Sequence, residues 1–311
     1  MTAAAAQPPL PALPRSPGLV PGARTARRDA GRLEIALGRR RVVVADSPAV
    51  RQALRALREH RAPDAVDQPQ VHALLADLVA ADLIVDADLA HRSPAHASLA
   101  ARTGLGLEEC LRRRDGVAVA VHDAVSDGVL AVRAHAALRQ AGLWSVDLDD
   151  PGTRTEDGAA IAVTLLLLPD VAAAGLAGPW MAAGAAHLPL VLSPDSCLLG
   201  PFVDPGLTAC LQCVESHRGD ADPAHALVSA QHAADAGTVL PDPALVAWAL
   251  AAAAVDLVRA VEGDLPATWS RTRRLALDPT PEDADPLAEQ PAQERVWWRH
   301  PSCGCAWQAV G

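Results

Sequence analysis

Two close pairs of cysteines, Cys210 with Cys213 and Cys303 with Cys305, constrain the fold of this chain more than any other feature of its sequence. In C-L-Q-C and C-G-C a short turn can point two thiolates at one ion, and Gly304 has no Cβ to restrict the second turn. Structural zinc sites take four such ligands in a tetrahedron. We therefore predict that the four cysteines bind one structural Zn²⁺ ion, which ties the end of the chain to its middle.

Disulfides and a reactive thiol pair are the alternatives for these cysteines. The Ala- and Pro-rich start lacks the charged region and apolar run of an export signal, so we expect a cytoplasmic protein, in which disulfides are rare. A thioredoxin-like pair would follow a strand and begin a helix, whereas Cys210 follows the turn-rich stretch VDPGLTA. Cys110 and Cys197 have no close partner in sequence, and we expect them to be ordinary small buried residues.

The charge balance excludes one broad class of partner. The 311-residue chain has a formal net charge of −10, whereas non-specific binding to nucleic acid needs a basic face. Arg39-Arg40-Arg41 is a local exception, and a run of this length is more often a solvated surface. The uncharged stretch 171–192 contains Pro179 and Pro189, which favours buried helix and strand. We predict neither nucleic-acid nor membrane partners.

The sequence pattern predicts a small N-terminal module. Residues 1–30 are rich in Ala and Pro, and we predict a disordered leader there. RLEIALG and RRVVVAD alternate as strands do, and Asp46-Ser47-Pro48 is a good helix start. A second helix follows, with an apolar stripe on one face. Small strands and helices over 31–92 form a winged-helix pattern.

A different pattern fills residues 93–311. Four predicted strands alternate with helical segments: GVAVAVHD, LWSVDLDD, IAVTLLLLPD and LPLVLS. The nearly continuous apolar run GVAVAVHD is typical of a strand buried on both faces, and IAVTLLLLPD is predicted to be buried too, whereas LWSVDLDD ends in acids. The alternation predicts an open, mainly parallel α/β sheet of the Rossmann type, so the fold class is α/β. A long helix is predicted over PDPALVAWALAAAAVDLVRAVEG, with Pro in its first turn.

The turn after the first of these strands lacks the glycines that a nucleotide needs. A G-x-G-x-x-G turn brings the backbone close to phosphate, but here Asp123 and Val125 stand at the first two glycine positions and only Gly128 matches. The carboxylate of Asp123 would repel a phosphate, so we expect no tight ATP binding at this turn. His122 beside it is interpreted as structural. We find no nucleophile–base constellation, and predict no catalytic residue.

Two separated motifs resemble a known family. GPFVDPGLTACLQCVESHR over Gly200–Arg218 is followed by Asp222-Pro223, and HPSCGC stands at His300–Cys305. In this order they are similar to the motifs of the E1-like, ThiF-related cyclodehydratase C or leader-peptide-binding proteins. These proteins act in the biosynthesis of thiazole/oxazole-modified microcins (TOMMs), ribosomally made and modified peptides (RiPPs) that include bacteriocins.

The resemblance implies a scaffold rather than a catalyst. Family members carry an N-terminal winged-helix module, the RiPP recognition element, to which the leader of a precursor peptide adds as a strand. Their E1-like domain keeps the zinc, has generally lost ATP chemistry, and engages a YcaO-type cyclodehydratase. The zinc ligands carry over to Cys210, Cys213, Cys303 and Cys305. E1-like relatives often dimerise, so a second copy of the chain is a further candidate partner.

The peptide site can be inferred only from pattern. We expect an edge strand near Val42, Val43 and Val44, and a helix packed beside it that presents some of its apolar stripe to the peptide. Arg39–Arg41 would attract an acidic leader. For each residue the alternative is plain core or solvated surface. The stripe residues assigned to this site are Val71, Leu74, Leu75 and Leu78.

We therefore predict a non-catalytic scaffold that binds a precursor peptide and presents it for azoline formation. One alternative is an active E1-like, ATP-dependent adenylating enzyme, against which the degenerate glycine turn stands. A second is a winged-helix regulator that binds DNA. That function needs a basic recognition helix, whereas the helix over 71–82 contains Asp77 and Asp82 and no Arg.

Overall fold

The computed structural model describes residues 12–92, 94–102, 107–152, 154–235, 239–277 and 294–306. The chain divides into two compact units, Met1–Arg112 and Arg113–Gly311. Residues 1–11 of the predicted leader lie outside the described ranges.

The N-terminal unit is built around a three-stranded antiparallel sheet in the order β2-β3-β4 and a two-stranded antiparallel pair of β1 with β5. Its elements are β1 (Pro17–Leu19), β2 (Arg24–Asp29), β3 (Arg32–Leu37), β4 (Arg40–Ala45), α1 (Pro48–Arg58), α2 (Pro69–Ala80), β5 (Ile84–Asp86), α3 (Ala87–Ala90) and α4 (Pro94–Arg102); α5 (Leu107–Asp115) crosses the boundary between the units.

The structure places strands within the stretch predicted to be a disordered leader. β1 and β2 both lie before residue 31. β2 has the sequence RTARRD, which lacks apolar alternation, and it is held by its pairing with β3. A polar strand of this kind depends on its neighbour rather than on its own pattern, which is why the sequence indicated disorder.

The two predicted helices of this unit are present and supply its core. α1 begins as expected, because the side chain of Ser47 accepts a hydrogen bond from the backbone N–H of Val50 and Pro48 opens the first turn. Ile35 of β3 and Leu57 of α1 are fully buried in the same cluster as the stripe of α2. A short strand, β5, follows α2.

The unit boundary lies later than the predicted boundary at residues 92 and 93. α4 follows that position, and its Leu99 and Ala100 pack with Val20, Val85 and Cys110 in a second small core. Apolar burial therefore joins these residues to the N-terminal unit.

The C-terminal unit contains a seven-stranded mixed sheet in the order β12-β11-β10-β9-β8-β6-β7. Its elements are β6 (Val117–Asp123), α6 (Val129–Gln140), β7 (Ser145–Asp147), β8 (Ala160–Pro169), α7 (Ala173–Leu176), α8 (Gly178–Ala182), β9 (His187–Leu192), β10 (Ser196–Leu199), α9 (Leu211–Ala221), α10 (His225–Asp235), α11 (Pro243–Glu262), β11 (Arg271–Ala276), β12 (Glu294–Val296) and a final 3₁₀ turn, Gly304–Ala306.

The predicted parallel strands are confirmed, and three antiparallel strands extend them. β7, β6, β8 and β9 pair in parallel, while β10, β11 and β12 add one after another in antiparallel pairs. Three of these strands, β6, β8 and β9, are largely buried apolar runs, whereas β7, with the sequence SVD at the edge of the sheet, is partly exposed. β11, with the sequence RTRRLA, did not stand out in the sequence for the same reason as β2.

α11 is the central helix of this unit and ends where the sequence predicts. Asp242 caps its start and Gly263 ends it in a left-handed conformation. Among the described residues α11 alone is long and apolar enough to cross a membrane, by length and composition only. Its buried side packs on the sheet, and its buried Glu262 accepts a hydrogen bond of 2.9 Å from Arg114 Nε. These contacts are those of a core helix.

Candidate metal centre and peptide-binding edge

The four cysteines of the two pairs are brought together by α9 and by the last described turn of the chain. Cys210 is the N-cap of α9 and Cys213 lies in its first turn, while Cys303 and Cys305 flank Gly304 at the 3₁₀ turn. All four side chains are buried. The C-x-x-C pair therefore does begin a helix, but a turn rather than a strand precedes it.

The sulfur geometry fits a tetrahedral metal ion. The Sγ atoms of Cys210 and Cys213 are 3.7 Å apart, those of Cys210 and Cys303 are 3.7 Å apart, and those of Cys213 and Cys305 are 3.3 Å apart. All four sulfurs lie within 4.8 Å of one another. A tetrahedron with metal–sulfur distances of about 2.3 Å has sulfur–sulfur edges of about 3.8 Å. The cluster is therefore compatible with zinc.

Burial makes four thiolates at this cluster unfavourable unless a cation is bound. The hydrogen bond between Cys210 and Cys213 lowers the pKa of the Cys213 thiol to about 4 and raises that of Cys210. Burial raises the pKa of Cys305 to about 12. One thiolate can thus form without a metal, but each further buried negative charge is opposed by desolvation and by its neighbours. A divalent cation removes that opposition.

The tail that carries Cys303 and Cys305 is anchored by contacts of its own. β12 pairs with β11, and the indole N–H of Trp297 donates to Thr272 Oγ1 at 2.8 Å. Arg299 donates to the carbonyl of Gly206 at 2.7 Å. These contacts hold the tail beside α9 in addition to any metal that its cysteines bind.

A histidine next to the cluster is fully used by the protein. His300 Nε2 lies 2.8 Å from a carboxylate oxygen of Asp220, and its Nδ1 accepts hydrogen bonds from the N–H and hydroxyl of Ser302. Both ring nitrogens thus have partners. Although His300, Asp220 and His217 lie close enough to hold an ion, the ring of His300 serves to fix the turn that carries Cys303.

The two remaining cysteines behave as predicted. Cys110 and Cys197 have no exposed surface, and burial raises the pKa of Cys197 to about 12. Neither has the features of a reactive thiol.

The turn after β6 is filled by its own carboxylate. Asp123 Oδ1 accepts the backbone N–H groups of Val125 and Ser126, and Oδ2 accepts those of Leu130 and Ala131 at the start of α6. The Ser126 hydroxyl also donates to Oδ2 at 2.7 Å. Although burial opposes ionisation, these hydrogen bonds hold the pKa of Asp123 below its usual value. The carboxylate occupies the helix N-terminus where a phosphate would bind.

His122 has the contacts of a structural residue. Its Nδ1 donates to the carbonyl of Leu148 at 3.1 Å, and its ring packs on Trp180 with centroids 4.7 Å apart. The sequence-based interpretation of His122 as structural is supported by these contacts.

The strand expected to receive a peptide is at an edge of the small sheet. β4 pairs with β3 on one side only, among the described strands. Val42 faces the core, Val44 is partly buried, and Val43 is 37 % exposed. Arg39 and Arg41 are exposed, whereas Arg40 donates to the carbonyl of Asp82 at 2.7 Å.

The helix residues assigned to the same site are core residues in this structure. Val71, Leu74, Leu75 and Leu78 of α2 all have no exposed surface. They fill the space beneath the sheet with Ile35, so they offer nothing for a peptide to contact. An apolar stripe marks the buried face of a helix, and the sequence carries no signal that separates such a stripe from a binding surface.

Comparisons with known proteins place this fold. No model of a known protein family matches the sequence, and none of the curated proteins matches it. The structure is similar to that of the heterocyclase TruD, with a TM-score of 0.68 and 14 % sequence identity over 94 % of this chain and 43 % of TruD. The chain therefore spans less than half the length of TruD.

The second similarity is to E. coli MccB. In a structure with AMPCPP and the peptide MccA, MccB matches with a TM-score of 0.60 and 11 % identity, over 93 % of this chain and 99 % of MccB. A structure of MccB with N-formylated MccA matches with a TM-score of 0.58. At these identities the likeness is one of fold: the chain has the α/β fold shared by TruD and MccB, which are proteins of heterocycle and microcin biosynthesis.

Proposed function

We propose that this chain is a non-catalytic scaffold for RiPP biosynthesis of the TOMM type. Its N-terminal unit is a winged-helix module that captures the leader of a ribosomal precursor peptide. The C-terminal unit is E1-like, contains one structural Zn²⁺ ion, and presents the peptide to a YcaO-type cyclodehydratase for azoline formation in the cytoplasm. The N-terminal module of this proposal extends beyond the predicted limit at residue 92, to the unit boundary near Arg112.

The open edge of β4 carries this proposal. A strand with one unpaired side presents backbone N–H and C=O groups to an extended peptide. Val43 gives that edge an exposed apolar side chain. The peptide-bound MccB structures support a peptide partner for a chain of this fold. With the α2 stripe buried, the site narrows to β4 itself and to the exposed Arg39 and Arg41.

The Asp123 turn supports the absence of catalysis. Binding ATP at this helix start would require displacing a carboxylate that accepts four backbone N–H groups. An ATP-dependent partner would then supply the activation chemistry, as the resemblance implies.

Isothermal titration calorimetry of the zinc-loaded chain against synthetic leader segments, taken from short peptides encoded beside its gene, tests the function. We expect micromolar or tighter binding. No binding to any leader, combined with binding of ATP or duplex DNA, would contradict the scaffold and favour one of the two alternatives.

Two proline variants locate the site. Neighbouring N–H groups along a strand point to opposite edges, so one of Val43→Pro and Val44→Pro removes an outward donor and the other breaks the ladder to β3. The variant that keeps the wild-type thermal unfolding midpoint is the informative one, and we expect it to lose leader binding by about tenfold or more. Val43→Thr, which keeps the N–H and the β-branched shape, is the matched control and should bind normally.

A further inference from the structure

A second open edge lies on the other side of the small sheet. β2 pairs only with β3 among the described strands, and five of its six residues are exposed. A cavity of about 300 Å³ lies between this strand and α1. We call it the β2–α1 cleft, and its walls include Thr25 and Arg27 of β2 and Leu54, Arg55 and Arg58 of α1.

The β2–α1 cleft is basic in a chain that is acidic. Four arginines line it, Arg27, Arg51, Arg55 and Arg58, against one acid, Asp46. Arg51 binds the Asp46 carboxylate with two hydrogen bonds of 2.5 and 2.7 Å, and Arg27 lies 3.5 Å from it. That leaves Arg55 and Arg58 exposed, with no ionic or hydrogen-bond partner in the described part of the chain. Their position in the last turn of α1 is favourable for a cation, but their guanidinium groups remain available to a ligand.

A buried hydroxyl in the cleft also has no partner. Thr25 Oγ1 is shielded from solvent, and no described atom hydrogen-bonds to it. A polar atom in that condition destabilises the protein relative to one that is paired. Leu33 and Leu54 line the cleft beside it. The cleft thus offers cations, an unused hydroxyl and an apolar wall next to an unpaired strand.

We propose that the β2–α1 cleft binds an extended acidic peptide in which acidic and apolar residues alternate. The peptide adds to the free edge of β2, and its carboxylates lie on the α1 side of the sheet, where they pair with Arg55 and Arg58. Its apolar side chains lie on the opposite face, and a peptide group bonds to Thr25 Oγ1. This site is separate from the β4 edge and stands whether or not the leader binds there.

The probe is a synthetic peptide that alternates Glu and Val, titrated into the full zinc-loaded chain by calorimetry. A peptide of equal length that alternates Gln and Val is the control. We expect the acidic peptide to bind, the control to bind at least about tenfold more weakly, and the difference to shrink as salt is raised. Equal binding of the two peptides, or none of either, would overturn the proposal.

Paired substitutions assign the binding to the cleft. Arg55→Gln with Arg58→Gln should weaken binding of the Glu–Val peptide by about tenfold or more. The unfolding midpoint should fall only slightly, because the two arginines lie in the last turn of α1 and have no side-chain partner among the described residues. Arg133→Gln with Arg139→Gln removes two exposed arginines of α6, outside both proposed peptide sites, and should leave binding unchanged. Binding that survives the cleft substitutions but is lost when the exposed arginines beside β4 are replaced would place the acidic peptide at β4 and overturn the proposal.

Thr25→Val tests whether the peptide enters the β2–α1 cleft or binds only through the surface charge of the arginines. Removing an unpartnered buried hydroxyl should raise the unfolding midpoint of the free chain, yet weaken binding of the Glu–Val peptide severalfold by deleting its hydrogen bond. A variant that is stabilised but binds as tightly as wild type would show that the peptide does not reach Thr25.

Discussion

The C-terminal unit contains two sites with ionisable side chains, the four cysteine thiols and the Asp123 carboxylate. The two sites differ in whether the protein itself supplies their partners. At the cysteine cluster, four buried thiols converge with sulfur distances of 3.3 to 3.7 Å, and four thiolates there would need a cation to balance their charge. At the turn after β6, one carboxylate already satisfies the N-terminus of α6. We propose a bound ion at the first site, whereas the second is already filled by the protein's own carboxylate.

The difference shows that the turn after β6 and the cysteine cluster do not depend on each other. Asp123 takes the position of the first glycine of a phosphate-binding turn and uses the same backbone donors that a phosphate would use. The cysteine cluster lies elsewhere in the unit and needs none of those donors. The two sites share no residue, so they can be separated by mutation.

The largest expected effect is at the metal centre. Cys213→Ser removes a ligand and its thiolate, so we expect loss of bound zinc and a fall of at least about 3 kcal/mol in the free energy of unfolding. Metal content and urea unfolding of the same preparation measure both. Cys197→Ser is the matched control: this thiol is equally buried but lies in β10, so its zinc content should stay at one ion per chain. A Cys213→Ser chain with full zinc would refute the centre.

The next effect is at the Asp123 turn. Asp123→Ala strips the acceptor from five donors at the start of α6 and should cost about 2 to 3 kcal/mol of stability, with zinc content unchanged. Asp127→Asn removes a charge from the same turn and keeps a side chain that tolerates the positive φ of 47° there, so it should be nearly neutral. Equal costs for both variants would mean that charge, rather than capping, matters at this turn.

ATP provides the converse test of the same turn. Millimolar ATP should not raise the unfolding midpoint of the wild-type chain, since ligand binding to the folded state would raise it. A clear rise that disappears when α6 is altered would revive the adenylating alternative.

The cysteine cluster could be predicted from the sequence. For Asp123 only the negative charge at the turn could be used, and its hydrogen bonds to the start of α6 could not be predicted. Two short cysteine pairs indicate a common ion whatever the fold between them, because thiolate spacing is a local property. Asp123 was expected to repel phosphate, which the structure supports, but its hydrogen bonds to Leu130 and Ala131 depend on the angle at which α6 leaves the strand. The spacing of Asp123 and Ser126 before a helix was the one available signal of a capping role.

The strands divide in the same way. The strands β6, β8 and β9 could be predicted from their apolar runs, because a strand covered on both faces needs apolar residues throughout. β2 and β11 are rich in arginine and exist by pairing with a neighbour, which no local pattern records. The stripe of α2 was correctly predicted as the apolar face of a helix, but whether such a face meets a peptide or the core is decided by the sheet above it.

Acid separates the two sites by their proton affinities. Protons compete with zinc for the cysteine thiolates, and an ordinary thiol has a pKa of about 8.5. We therefore expect zinc to leave as the pH falls below about 6. Asp123 has a pKa lowered from the usual 3.8 in the folded chain; its contribution is present above that value and is lost as the pH falls further, through the folded pKa. A pH series of zinc release and urea unfolding should therefore show metal loss first. If Asp123→Asn alters stability at pH 6 as little as at pH 3, the carboxylate is not the cap.

The smallest expected effects are those of two serine substitutions, one at the Asp123 turn and one beside the cysteine cluster. The Ser126 hydroxyl donates to Asp123 and accepts the N–H of Leu130 at 2.9 Å, so Ser126→Ala should cost about 1 kcal/mol. At the metal centre the Ser302 hydroxyl bonds to His300 Nδ1, but the Ser302 N–H donates to the same nitrogen, so Ser302→Ala should cost about half as much. Urea unfolding of each variant, alone and with Asp123→Ala, measures the coupling: Ser126→Ala should lose most of its effect in that background, whereas Ser302→Ala should keep its own. Additive costs for Ser126 and Asp123 would show that the hydroxyl and the carboxylate do not act as one cap.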